Sequence, residues 1–121
     1  MTSTRQNEAE QREHARLETF EYALAHQSGE DRPKRAVIVN LGLGGIQLRC
    51  RERFEVGSMW NLQISGATMP IPVEVRYFDA VPSSDLFAVG MRFKPGNHEE
   101  RMAIAKYVHN VFQQQLDNLT L

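Results

Sequence analysis

Two arginines four positions apart, Arg12 and Arg16, and a glycine-dense string, Asn40-Leu41-Gly42-Leu43-Gly44-Gly45, hold most of the chemistry in this chain. A guanidinium is planar and permanently charged. It donates in parallel to phosphate oxygens or to the O6 and N7 of guanine, and its flat face stacks on a purine. Each good bidentate pair with a base contributes about 1–3 kcal/mol of discrimination. Asn40 carries a donor and an acceptor on one amide, as recognition of a guanine edge requires. Gly42, Gly44 and Gly45 remove side chains, which favours either positive φ or a close approach by another group. Successive N–H groups in such a turn form an anion-binding concavity. Together these residues describe a site for something flat and anionic.

The elements that must position these groups follow from periodicity. Residues 1–13 are rich in Glu, Gln, Arg, Ser and Thr and lack apolar spacing, so residues 1–16 read as a flexible arm carrying both arginines. Residues 17–119 read as the folded domain. Phe20, Tyr22 and Leu24 alternate with Thr19, Glu21 and Ala23, the period of two of a half-buried strand. Val37-Ile38-Val39 is a β-branched run typical of a buried strand. Four more alternating sets follow: Ile46, Leu48 and Cys50; Trp60, Leu62 and Ile64; Ile71, Val73, Val75 and Tyr77; Phe87, Val89, Met91 and Phe93. Arg49, Arg51 and Arg53 read as outward positions alternating on the third strand. Six short strands with short connections predict a mainly β, antiparallel domain that closes into a barrel or splits into two packed sheets, since closure removes exposed edges. Beyond them, Asn97 reads as an N-cap with Glu100 three residues on. Ile104, Tyr107, Val108, Val111 and Phe112, extended by Leu116 and Leu119, form the apolar stripe of a C-terminal helix. This helix seals one side or end of the barrel, or its stripe makes a homodimer surface.

Bulk properties narrow the partners. With 14 basic and 15 acidic side chains the formal net charge is −1. A binder that neutralises many phosphates of a nucleic acid polymer needs a basic surplus, so an anion site here is local and its ligand small. The longest apolar runs fall far short of a membrane span, and the polar N-terminus does not read as a secretory signal. One cysteine, Cys50, fits a reducing cytoplasm and reads as core packing. The four histidines, His14, His26, His98 and His109, lack metal-ligand spacing. No nucleophile–base set or carboxylate pair has supporting context. The chain is therefore expected to be a binding module rather than an enzyme, with no cofactor.

The two strings, in this order and spacing, resemble the signature motifs of the PilZ domain family: Arg-x-x-x-Arg followed by Asp/Asn-x-Ser-x-x-Gly. The late string Val89-Gly90-Met91-Arg92-Phe93 is similar to the family's Gly-x-x-Phe strand, and the resemblance runs from Arg12 to Leu116. It implies a six-stranded antiparallel β-barrel with an added helix, and cyclic di-GMP as ligand. By position it makes Arg12 and Arg16 a clasp for guanines and phosphates, and Asn40 and Gly45 the loop contacts. Gly42 stands where the family usually has Ser. The missing hydroxyl is one hydrogen bond, worth about 0.5–1.5 kcal/mol net, and backbone N–H or water can replace it. The implied function is a receptor that signals to an effector protein by ordering its arm. The alternative is a PilZ scaffold without nucleotide binding that serves as an interaction adaptor, for example in motility or pilus machinery.

Overall fold

Period-two alternation makes strands, and glycine, proline and polar clusters punctuate them. The computed structural model describes residues 16–119. It contains β1 (Arg16–His26), β2 (Lys34–Gly42), β3 (Gly45–Cys50), β4 (Met59–Ile64), β5 (Ile71–Ala80), β6 (Phe87–Phe93) and α1 (His98–Leu119). The strands close in the order β1-β2-β3-β6-β5-β4, with every neighbouring pair antiparallel. Of the two arrangements open to six such strands, the chain takes the barrel. Residues 1–15 of the expected arm, Arg12 among them, lie outside the described residues, and Arg16 is the first residue of β1.

Side chains at alternate positions fill the interior. Ile38, Leu48, Leu62, Ile71, Val73 and Val89 are wholly buried, and Cys50 belongs to the same core. Burial pushes the Cys50 thiol above its ordinary range. Arg51 and Arg53 lie beyond the end of β3 rather than on its outer face; Arg51 pairs with Asp85 at 2.9 Å on the surface.

β1 reverses the apparent sense of its sequence. Phe20 and Tyr22 are 79% and 86% exposed, whereas Ala23 and Ala25 are buried. The reason is room. The inner wall at β1 faces interior already occupied by larger residues of its neighbours, so methyl-sized side chains fit there and the aromatic rings turn outward. Glu21 also points to the inner side, where its carboxylate accepts a hydrogen bond from the Tyr107 hydroxyl at 2.8 Å.

α1 begins where expected. The Asn97 side-chain oxygen accepts from the Glu100 N–H at 2.8 Å, and the Glu100 carboxylate accepts from the Gly96 N–H at 2.7 Å. Ala103, Ile104, Tyr107, Val108 and Val111 face the barrel core. The stripe outruns its cover: Leu116 and Leu119 are 55% and 81% exposed. No helix among the described residues is long and apolar enough to cross a membrane.

Candidate functional site

Register decides which parts of the two motifs meet. Arg16 lies opposite Gly42, Leu17 opposite Leu41, and Glu18 opposite Asn40. The second arginine of the first motif therefore starts the strand that pairs, residue against residue, with the second motif. Continuing around the wall, Asn40 faces Gln47, Gln47 faces Gly90, and Gly90 faces Tyr77. Directly opposed residues share a face of the sheet. The adjacent row, Leu41, Ile46, Met91 and Val75, is buried, so Glu18, Asn40, Gln47 and Tyr77 form a polar row on the outer wall.

Irregularities in pairing bracket this row. Between the buried Leu48 row and the outer one, β3 advances one residue, from Leu48 to Gln47. β2 takes two, from Ile38 to Asn40, and β1 takes three, from Glu21 to Glu18. On the opposite side, β5 takes two residues, Val75 to Tyr77, against one on β6. Extra residues of this kind bend strands, increase local twist and re-aim side chains. The register shifts thus fall beside Asn40 on one flank and beside Tyr77 on the other.

Two glycines explain themselves by close approach. A Cβ on Gly45 would stand 2.1 Å from the Met91 carbonyl oxygen and 2.9 Å from the Arg92 Cα. The close approach expected in the glycine string is thus made by the barrel's own β6 backbone. Neither Gly44 nor Gly45 adopts a left-handed φ, and the Gly44 carbonyl accepts from the Phe93 N–H at 3.0 Å. The second glycine is Gly90, where a Cβ would stand 1.9 Å from the Tyr77 ring. The ring lies across the bare backbone, and the Gln47 side-chain amide donates to its hydroxyl.

The structure therefore brings Asn40, Gly42 and Gly45 to one corner with Arg16. It adds Glu18, Gln47 and Tyr77, which the motif spacing did not single out. Gln47 and Glu18 were visible only as polar members of alternating strands; their adjacency to Asn40 is a matter of register. Arg49 lies one outward row away, opposite Val37 and Ala88, and its guanidinium donates to the Leu48 carbonyl at 3.2 Å. His26 meets Gln63 at 3.0 Å, and no group of histidine, cysteine and carboxylate side chains among the described residues could hold a metal ion.

An open groove of ≈ 600 Å³ lies on the other side of the β2–β3 turn, between it and the helix. Leu43, Phe93, Ile104, Val108 and Phe112 give it a mostly apolar lining, to which Arg101 and His109 add polar groups.

Comparison with solved structures finds the same fold. The Bacillus subtilis inhibitor of motility (MotI/DgrA) superposes with a TM-score of 0.62 at 16% identity, covering 85% of this chain and 50% of that one. A tetrameric PilZ-domain protein from Xanthomonas campestris, self-assembled through a helical bundle, gives 0.54 at 13% identity, covering 74% and 52%. The chain thus spans about half the length of these structures. Comparison with curated proteins finds no match. A family model for the PilZ domain matches residues 10–110. With the barrel, the added helix and this match, the chain belongs to the PilZ domain family, a family of cyclic di-GMP receptor domains.

Proposed function

We propose that this chain is a cyclic di-GMP receptor and adaptor of the bacterial cytoplasm with no catalytic role, and that Arg12, Arg16, Asn40, Gly42 and Gly45 contact the ligand. The observation that carries this reading is the pairing of Arg16 with Gly42, which sets the last residue of the first motif against the second motif, beside the polar row of Asn40 and Gln47. In this reading the arginines clasp guanine and phosphate from the N-terminal side, while Asn40 meets a base edge. Ordering of the segment before Arg16 costs affinity and gives a change of surface that an effector protein reads. The turn that carries the second motif also lends Leu43 and Gly44 to the apolar groove, so a ligand seated at the corner adjoins a surface suited to a protein partner.

Titration calorimetry on the purified chain is the test. Binding is expected with the wild-type protein and lost in Arg12→Ala and in Arg16→Ala. No heat and no shift in melting temperature at saturating cyclic di-GMP overturns the reading. The adaptor reading without nucleotide draws on the same groove and on the exposed Leu116 and Leu119, which also suit a homodimer contact. It is favoured if partner capture proves indifferent to nucleotide.

A further inference from the structure

Resting on the receptor reading, we infer that Glu18 is a specificity-determining residue that reads the guanine base together with Asn40. Glu18 lies directly opposite Asn40, on the same outer face, and its side chain is exposed. Cross-strand neighbours of this kind hold their Cβ atoms about 5 Å apart, so the carboxylate and the amide present adjacent groups to one bound ring.

Guanine's Watson–Crick edge sets an acceptor, O6, beside two donors, the N1–H and the exocyclic 2-amino group. Asn40 has a single side-chain oxygen and so accepts without covering both donors. An ionised carboxylate is acceptor-only, with two oxygens, and takes both while the Asn40 N–H is given to O6. Gln47, the next residue in the row, is held at the wall by the hydrogen bond that its side-chain amide donates to Tyr77.

Electrostatics fixes the orientation. A carboxylate repels phosphate, so it is tolerated in this site only where a base approaches. Phosphates then fall towards Arg16 and the glycine turn, at the Gly42 end of the same pairing. Adenine is rejected by the same atoms: it has no N1–H, and its ring nitrogen would direct a lone pair at the carboxylate.

The test uses the full chain with cyclic di-GMP, cyclic di-AMP and cyclic di-IMP, whose hypoxanthine keeps O6 and the N1–H but lacks the 2-amino group. Wild-type protein is expected to prefer cyclic di-GMP over both. Glu18→Ala should weaken cyclic di-GMP by about tenfold or more, since a hydrogen bond to a charged group is lost. It should also move the ratio of cyclic di-GMP to cyclic di-IMP affinity towards one, with Glu18→Gln intermediate. Equal weakening of both ligands would mean that Glu18 orients an arginine, and tighter binding would mean that it only repels phosphate; either result, or no change, overturns the inference while the receptor reading stands. A folded wild-type chain that binds none of the three overturns both. Glu18 is exposed, so an unchanged thermal melt is expected for both variants and confirms that the loss is one of recognition.

Discussion

Strands β3 and β1 carry the same kind of alternating pattern and use it in opposite ways. In β3, Ile46, Leu48 and Cys50 enter the core and Gln47 and Arg49 face out. In β1 the bulky members, Phe20 and Tyr22, stand in solvent, and the inner side is left to Ala23, Ala25 and Glu21. The difference teaches that alternation fixes a strand and its two faces but not which face is inside. That choice belongs to the space left by the other strands and the helix. It also leaves β1 with an outer face of Glu18, Phe20 and Tyr22 beside the candidate site.

The sharpest break of the comparison is at Leu48, which has no solvent exposure. Leu48→Ala should cost about 2–5 kcal/mol through lost burial and a cavity, read as a lowered denaturant midpoint. A cost under about 1 kcal/mol would mean that the β3 interior is looser than its burial implies.

Next in size is the pair Gly45 and Gly44. Gly45→Ala drives a methyl into the β6 backbone and is expected to cost about 1–3 kcal/mol or more, because backbone cannot step aside as a side chain does. Gly44→Ala meets nothing within 4 Å and has no left-handed φ to strain, so it should be neutral or stabilising by up to about 1 kcal/mol. Equal effects from the two would refute the assignment of Gly45 to strand packing.

Tyr107→Phe probes why β1 tolerates a carboxylate on its inner side. Removing the hydroxyl leaves the Glu21 carboxylate without its donor, at a cost of about 1–3 kcal/mol near neutral pH. The pH dependence has a definite sign. Burial first, then the hydrogen bond and charge of Glu21, hold the Tyr107 hydroxyl above its ordinary value of 10.0. Its contribution is therefore complete below that value and is lost as pH rises above it towards the raised folded-state value. Melting temperatures at about pH 8 and about pH 11 should show a steeper alkaline fall in the wild-type chain than in the Phe variant. Parallel profiles would show that another group governs alkaline stability.

The smallest effects belong to the outer side of β1. Phe20→Ala and Tyr22→Ala should each change stability by no more than about 0.5 kcal/mol, the usual range for exposed positions. A loss as large as that of Leu48→Ala would show that these rings are covered in solution.

Much of the fold was legible because its signals are local. Six alternating segments, the Asn97 and Glu100 cap and the apolar spacing of α1 depend only on near neighbours in sequence. The candidate site was legible in part: Asn40, Gly42, Gly45 and Arg16 reach one corner, whereas Arg12 lies outside the described residues. Glu18, Gln47 and Tyr77 were not legible as a group, because their proximity depends on the extra residues that shift register in β1, β2 and β5. One such residue more or fewer would turn a different side chain towards Asn40.

By itself, then, the sequence determined the strands, the capped helix and the two motifs, since these follow from side-chain chemistry and short-range spacing. Only the tertiary structure decided that β1 turns its aromatic rings outward, that β6 backbone fills the space at Gly45, and that Glu18 stands beside Asn40. The physical reason is that packing volume and strand register are properties of the closed barrel, shared among all six strands, and no single segment contains them.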